Sequence, residues 1–324
     1  MKIFSGIQPT GKLHIGNYFG AVKNMVRLQN EGEAIFSIVD LHAITVKYDP
    51  KELQQKIKDT LLDFLACGID PEKSIVFIQS QIKEHTELSN LLQNITPLGS
   101  LERMTQFKDK SQKQKSINAG LLVYPILMTA DILLYNTDIV PIGNDQKQHL
   151  ELTQDIVRRF NNQFGEIFKL PKIQIPENGA RIMSLKDPFR KMSKSEPEGC
   201  IFVTDEPEII REKIKKAVVD SLDSISYDKN ERPGISNLID IDASACSVSV
   251  TDDLGLKKYN AQTLQYKKDV AEKLIKELDP IRKKRKELEK KPEYIQEILE
   301  KGREKAQKIA TEKIEEVKKA MGLV

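Results

Sequence analysis

Strand-like apolar runs alternate with helical segments through the first eighty residues of this chain. The predicted elements are strands at 3–5, 34–39 and 74–78 and helices at 17–31 and from Pro50 onward. Asp49 is a suitable N-cap for the second helix, and Pro50 suits its first position. This order predicts a parallel, doubly wound sheet whose ligand loops lie at the carboxyl ends of the strands. The loops at 5–11 and 40–45 are therefore candidates for a ligand site.

The rest of the chain becomes progressively more helical. The predicted elements are helices at 119–135, 145–160, 206–217 and 260–278, strands at 139–142 and 200–203, and a last helix between Pro292 and the natural C-cap Gly322. We therefore predict the α/β fold class. A doubly wound, parallel-sheet (Rossmann-like) domain at 1–200 is followed by a mostly α-helical domain at 201–324.

Two short motifs have the composition of a nucleotide triphosphate site. His14-Ile15-Gly16-Asn17 opens a helix after a Gly/Pro loop, and a helix N-terminus with a close backbone approach favours phosphate. The side chains of His14 and Asn17 can also donate hydrogen bonds. Lys191-Met192-Ser193-Lys194-Ser195 supplies two lysines that can follow charge onto a leaving pyrophosphate. Either motif alone also fits a capping histidine or a solvated loop, whereas the pair favours a nucleotide site.

These motifs resemble the two signatures of class I aminoacyl-tRNA synthetases, His-Ile-Gly-His and Lys-Met-Ser-Lys-Ser. The resemblance extends to the tryptophanyl-tRNA synthetases over almost the whole chain. The segments that carry it are 4–11, 40–45, 102–108, 130–135, 140–146 and 181–184. Asn17 stands where the wider class has a second histidine, as is usual in this family. Asn144 stands where glutamate is common, which leaves the surroundings of Mg²⁺ open.

The resemblance implies a two-step reaction without a protein nucleophile. The carboxylate of L-tryptophan attacks the α-phosphate of ATP, and the 3′-terminal ribose of tRNA(Trp) then takes the tryptophanyl group. Mg²⁺ is expected to arrive on ATP. The resemblance further implies a homodimer and a second domain that reads the anticodon, with the terminal helix packing back on the catalytic domain.

By the same resemblance, Asp131 accepts the indole N–H of tryptophan. An ionised group in the apolar segment 128–134 is expensive to bury without a partner, which also favours a functional role. The residues assigned to the tryptophan pocket are Phe4, Gly6, Gln8, His42, Tyr124, Met128, Asp131, Val140, Ile142 and Gln146. The apolar members equally fit ordinary core positions, and Asp131 alone does not exclude tyrosine.

The resemblance also assigns residues to ATP, with the ribose near Gly143 and the adenine near Arg181. The ATP-binding set is Gln8, Thr10, Gly16, Asn17, Gly143, Asp145, Gln146, Arg181, Ile182, Lys191, Met192, Lys194 and Ser195. The catalytic set is His14, Asn17, Lys110, Lys191 and Lys194. Gln106 and Lys110 are expected on a loop that reaches the phosphates, or alternatively in a solvated segment at 108–115.

Composition bounds the remaining possibilities. The chain has 324 residues, of which 31% are charged, and no apolar run approaches the roughly 18 residues needed to span a membrane. The N-terminus lacks a signal-peptide pattern, so a cytoplasmic location is predicted. Cys67, Cys200 and Cys246 are far apart, so we predict no iron–sulfur cluster and no other metal site.

Charge is concentrated near the end of the chain. The net charge is +3, whereas residues 281–324 hold 14 Lys/Arg and 9 Asp/Glu. The run 282–286 is a candidate for contact with an RNA backbone, and the alternative is a solvated helix face.

Three other functions are compatible with parts of the sequence. A tyrosine enzyme of the sister family would share the signatures and an Asp in the pocket. A small-molecule nucleotidyltransferase would share the first signature but is usually shorter. A non-catalytic RNA-binding or regulatory paralogue typically loses signature residues, and His14, Gly16, Lys191 and Lys194 are all present here.

Overall fold

The computed structural model of the chain describes residues 1–112, 117–174, 181–248, 250, 256–259 and 262–324. Its strands form one parallel sheet in the order β3-β2-β1-β4-β5. The strands are β1 (Lys2–Ile7), β2 (Glu33–Ile38), β3 (Ser74–Ile78), β4 (Ile139–Pro141) and β5 (Lys172–Gln174). The strand order reverses between β1 and β4. The crevice for a ligand is therefore expected where these two strands end.

Helices cover both faces of the sheet and make up most of the chain after residue 200. The α-helices are α1 (Ile15–Asn17), α2 (Lys23–Leu28), α3 (Asp40–Ala43), α4 (Pro50–Ala66), α5 (Glu84–Gln93), α6 (Leu98–Glu102), α7 (Thr105–Ser111), α8 (Ala119–Leu133), α9 (Lys147–Phe164), α10 (Pro207–Lys216), α11 (Pro233–Cys246), α12 (Thr263–Leu288) and α13 (Pro292–Ala320). This arrangement confirms the predicted fold class. No helix in the described ranges is long and apolar enough to cross a membrane.

Several predicted elements match the structure, and others need correction. Asp49 caps α4 by accepting the Lys51 N–H at 2.9 Å, as predicted. The predicted helix at 17–31 is instead α1, a π-helical turn at Tyr18–Val22 and α2. The predicted strand at 200–203 is wrong, because among the described residues this segment makes only one isolated bridge, between Phe202 and His14.

Buried apolar side chains form two clusters, one on each face of the sheet. Phe4 and Phe77 belong to a cluster with residues of α5, α8, α9 and α13. Phe36 and Val76 belong to the other, with residues of α4, α11 and α12. Apolar residues from both sides of residue 200 therefore share one cluster. The division into domains at 1–200 and 201–324 stays a prediction.

The terminal helix lies directly against an edge of the sheet. A Cβ atom at Gly302 of α13 would lie 1.8 Å from the carbonyl oxygen of Val76 in β3, so glycine is needed for this approach. Further along α13, Thr311 donates to Glu84 of α5 at 3.1 Å. Helix α13 thus closes the sheet beside β3.

Candidate functional site

The loops after β1 and β4 meet at the switch point of the sheet. The first carries Gln8 and Thr10, which are both exposed, and the Thr10 N–H donates to the Gln8 carbonyl at 2.8 Å. The second carries Gly143, where an added Cβ would lie 2.7 Å from Asp145 Oδ1. Gln146 donates to the Asp145 carboxylate at 2.9 Å. These predicted ribose and phosphate residues therefore lie at the carboxyl edge of the sheet.

The first signature forms the turn into the helical segment at 15–28. His14 is the N-cap of α1 with extended backbone, and its carbonyl accepts the N–H groups of Asn17 and Tyr18 at 2.9 and 3.0 Å. The backbone at Gly16 packs so tightly that an added Cβ would be 3.0 Å from the His14 ring. His14 is buried, and its Nδ1 has no partner in the described structure. A polar nitrogen is thus available at the start of the helix.

Burial, together with the positive charges of Lys194 and Lys191, lowers the pKa of His14 to about 4. The imidazole is therefore neutral at pH 7. It can still donate one hydrogen bond from a ring nitrogen.

Because the pKa of His14 is lowered in the folded protein, the free energy of unfolding should decrease as the pH falls. Its ordinary pKa is 6.5, so the unfolded chain binds a proton more readily than the folded one between pH 6.5 and about 4. Stability is complete above this window and falls as the pH drops through it. Between pH 7 and pH 5, we expect the free energy of unfolding of His14→Gln to fall by about 1–2 kcal/mol less than that of the wild type. Urea denaturation at the two pH values measures this difference. Identical losses in the two proteins would contradict this assignment.

Lys194 of the second signature contacts the loop that leads into the first signature. Its ammonium group donates to Thr10 Oγ1 at 2.7 Å and to the Gly11 carbonyl at 3.0 Å. Burial lowers the pKa of Lys194 to about 8 in spite of the opposing negative charge of Asp63. The two signatures therefore border one site although they lie far apart in the sequence.

The segment before Lys194 is held by both halves of the chain. Met192 donates its N–H to the Ile182 carbonyl at 3.1 Å, and Met183 pairs with Lys191 as an isolated bridge. Asn237 of α11 both accepts the Met183 N–H and donates to its carbonyl, at 2.8 and 3.0 Å. The buried Ile182 and Met192 form the floor of this segment, while the side chains of Arg181, Lys191 and Ser195 are exposed.

Asp131 lies at the centre of a buried polar network. It is 1% exposed, and it contacts His42 Nε2 at 2.8 Å, His85 Nδ1 at 2.6 Å and Gln79 Nε2 at 2.7 Å. Burial alone would raise the pKa of Asp131. Hydrogen bonds from the two histidines outweigh burial and hold that pKa well below its usual range. Three side chains of the protein itself therefore act as hydrogen-bond partners for this buried carboxylate.

A second polar network borders the first. Tyr124 Oη lies 3.0 Å from His149 Nε2 and 3.1 Å from Gln106 Oε1, and His149 Nδ1 lies 2.7 Å from Gln146 Oε1. The rings of His42 and Tyr124 pack edge to face, 6.2 Å between centroids. The structure therefore brings together four polar residues assigned to tryptophan or ATP.

The apolar residues assigned to the tryptophan pocket divide into core and partly accessible positions. Phe4, Val140 and Ile142 are buried in one cluster, whereas Met128 is half-buried. Phe4 stacks on Tyr135, and the Tyr135 hydroxyl lies 2.8 Å from His85 Nε2. These positions still fit both ordinary core and pocket lining. At Gly6, an added Cβ would lie 2.7 Å from Val39 Cγ1.

Some predicted residues lie outside the part of the chain that the structure describes, and some residues that contact the site were not predicted from the sequence. The side chains of Lys110 and Asn144 lie outside the described residues, as do residues 113–116. Gln79, His85, His149 and Asn237 were absent from the sequence-based assignments, because nothing in their local sequence marks them. Among the residues with described placement, no cluster of three or more His, Cys, Asp or Glu could hold a metal ion.

The turn at 14–17 follows the first strand, and the loop at 191–195 brings two lysines to the same site. This is the arrangement of a class I tRNA synthetase. The family described as tRNA synthetases class I (W and Y) matches residues 1–321. A tryptophan–tRNA ligase of Oceanobacillus iheyensis is 50% identical over 324 residues, covering 99% of this chain and 98% of the relative. One of Rickettsia conorii is 49% identical over 326 residues, with the same coverage.

Solved structures agree with these sequence relatives. The tryptophanyl-tRNA synthetase of Mycoplasma pneumoniae has a TM-score of 0.90 at 36% identity, covering 100% of this chain and 98% of the other. That of Campylobacter jejuni, complexed with ADP and tryptophan, has a TM-score of 0.84 at 37% identity, covering 100% of both chains. The chain belongs to the class I tRNA synthetases of the tryptophan and tyrosine group, and within them to the tryptophan–tRNA ligase family. The resemblance inferred from the sequence is thereby confirmed.

Proposed function

We propose that the chain activates L-tryptophan with ATP to give tryptophanyl-adenylate and pyrophosphate, and then transfers tryptophan to the 3′-terminal ribose of tRNA(Trp). The observation that carries this proposal is the contact of Lys194 with Thr10 and Gly11. It joins the second signature to the loop before the first, at the switch point of a parallel sheet, where nucleotides bind in this type of fold.

In the first step a tryptophan carboxylate oxygen forms a bond to the α-phosphorus, and the bond from that phosphorus to the bridging oxygen breaks. Negative charge then accumulates on the departing pyrophosphate. Lys191 and Lys194 are the cations placed to stabilise it, and the neutral His14 contributes a hydrogen bond without adding charge. The partners of Lys194 in the present structure are a hydroxyl and a carbonyl. A phosphate oxygen would attract its charge more strongly.

In the second step a ribose hydroxyl of the tRNA attacks the carbonyl carbon of the adenylate, and AMP leaves. The protein contributes chiefly by orienting the two reactants, so no protein nucleophile is needed. The anticodon is read, in this proposal, by the helical region after residue 200. The active form is a homodimer in the cytoplasm.

Mg²⁺ enters the proposal as part of the substrate. Asp145 is a single exposed carboxylate at the switch point, and one carboxylate together with ATP phosphates suits Mg²⁺, which retains several waters. When bound, the ion would neutralise phosphate charge. The protein's own lysines remain responsible for following charge onto pyrophosphate.

Selection of tryptophan is assigned to Asp131 and the residues around it. A carboxylate can accept about four hydrogen bonds, and three are supplied by His42, Gln79 and His85. The remaining capacity is available for an indole N–H. The network fixes both carboxylate oxygens of Asp131. Phenylalanine has no side-chain N–H and would leave the remaining acceptor position without a donor, which disfavours it strongly.

The test is exchange of labelled pyrophosphate into ATP, measured with each of the twenty amino acids. Exchange with tryptophan and little or none with tyrosine is the expected result. Exchange with tyrosine would instead identify tyrosine as the substrate, as in the sister family. Exchange with none of the twenty would reject the ligase proposal in favour of a nucleotidyltransferase or a non-catalytic paralogue.

A further inference from the structure

Helix α12 inserts an arginine into the other half of the protein. Arg285 is 5% exposed, and its guanidinium donates to Asp59 Oδ1 at 2.6 Å, to the Asp59 carbonyl at 3.0 Å and to Asp63 Oδ1. Asp59 and Asp63 both belong to α4, more than two hundred residues earlier in the chain. The contact therefore joins the helical region to the sheet-bearing region.

The basic run at 282–286 divides into buried and exposed side chains. Arg282 and Arg285 point inward and are buried, whereas Lys283, Lys284 and Lys286 are exposed and paired with nearby carboxylates. The two arginines are three residues apart and so share one helix face. The two arginine charges of the run are thus used inside the protein, and the suggested RNA contact does not fit them.

Asp63 connects Arg285 to the first signature. It is completely buried, and while Oδ1 accepts from Arg285, Oδ2 accepts the Leu13 N–H at 2.7 Å. Leu13 immediately precedes His14, the N-cap of the proposed phosphate turn. A continuous hydrogen-bonded path therefore runs from Arg285 through one carboxylate to the backbone of that turn.

The physical properties of this path suit a positioning role better than a stabilising one. A buried ion pair often contributes little net stability, because desolvation offsets its attraction. The planar guanidinium, however, fixes the orientation of a carboxylate through several donors. Burial raises the pKa of Asp63, and Arg285 opposes this rise. Without the arginine, the carboxyl group would lose both its charge partner and its fixed orientation.

We propose that Arg285 and Asp63 are positioning residues for adenylate formation. Arg285 orients the Asp63 carboxylate, which fixes the Leu13 backbone and thereby places His14 and Gly16 against the ATP phosphates. Helix α12 is in this way coupled to the phosphate site. The inference deepens the proposed function and rests on it for the nature of the ligand.

The test compares Arg285→Lys and Asp63→Asn with Arg232→Lys in the full chain. Arg232 is another buried arginine of the helical region, and its pair with Asp220 is confined to 220–232. We expect kcat for tryptophan-dependent pyrophosphate exchange to fall about 10–100-fold in the first two variants. The KM for tryptophan should change less than about twofold, and Arg232→Lys should retain wild-type kinetics. The double variant should be no slower than the slower single one, because both residues act on one path.

Hydrogen–deuterium exchange of the amides at 12–18 gives a readout that does not depend on catalysis. These amides should exchange faster in Arg285→Lys and Asp63→Asn but not in Arg232→Lys. Unchanged exchange at 12–18, or additive kinetic effects in the double variant, would overturn the positioning role. Lack of pyrophosphate exchange by the wild type would instead reject the proposed function, while the amide measurement would still decide whether Arg285 holds the turn.

A milder variant covers the case in which Arg285→Lys does not fold. Asp59→Asn weakens one arm of the guanidinium contact and leaves the Asp63–Leu13 bond in place. We expect a several-fold loss of kcat with faster amide exchange at 12–18, and wild-type values for both would contradict the proposal.

Discussion

We expect replacement of Lys194 with methionine to lower the rate of tryptophan-dependent pyrophosphate exchange by about 10²–10³-fold, which is the typical effect of losing one group that stabilises developing charge. Methionine keeps most of the length of the side chain. It removes the ammonium group that contacts Thr10 and Gly11. Because the lost interaction strengthens as pyrophosphate departs, kcat should fall more than the affinity for tryptophan.

The same substitution should leave the fold intact. Burial lowers the pKa of Lys194, so the folded protein holds this charge at a cost that methionine does not have. We therefore expect a thermal midpoint at or above that of the wild type. An inactive variant with a lower midpoint would indicate a structural defect in place of a lost catalytic charge.

Lys186→Met is the matched control for Lys194→Met. Lys186 lies in the same loop region, is exposed and pairs with Glu198. It has no described contact with the turn at 10–17. Its replacement should change the exchange rate by less than about twofold, since exposed ion pairs contribute little. Equal losses in both variants would show that the loop as a whole, and not Lys194 in particular, is required.

The parts of the fold that could be predicted from the sequence are those specified by local pattern. Continuous apolar runs marked β2 and β3, and Asp49 with Pro50 marked the start of α4. The three-residue strand β5 was missed because so short a segment has no periodicity of its own. It pairs with β4, and that pairing is a tertiary event.

The candidate site shows the same limit. The two signatures could be recognised because their residues are adjacent in sequence and resemble those of a known family. Arg285 could not, because a run of five basic residues looks uniform until the helix places some of them inward. Likewise, His85 and Gln79 contact Asp131 from 46 and 52 residues away, and no local pattern links them. Positions of signature residues were thus predictable, whereas the residues that hold them in place were not.

Asp131 is the position where recognition and stability should both respond to a single substitution. Asp131→Ala removes the acceptor of His42, His85 and Gln79 and leaves their polar atoms buried without a partner. Breaking a buried pair in this way costs roughly 3–5 kcal/mol, so urea denaturation at pH 7 should show a large loss. The pKa of Asp131 is held below its usual range. Its contribution is therefore complete at pH 7 and is lost only as the pH falls below about 4.

Asp131→Asn separates recognition from this stability effect, because the amide keeps the shape of the carboxylate but replaces one acceptor with a donor. We expect kcat/KM for tryptophan in pyrophosphate exchange to fall by at least about 100-fold, since the indole N–H loses its acceptor. The KM for ATP should stay near the wild-type value.

Asp242→Asn is the matched control, because Asp242 is also fully buried and accepts from Lys273 and Tyr266 in the helical region. If the two variants lose stability equally and only Asp131→Asn loses tryptophan activation, the carboxylate reads the substrate. Equal losses of activity would reduce Asp131 to a structural residue, and selection of tryptophan would then have to come from the shape of the pocket alone.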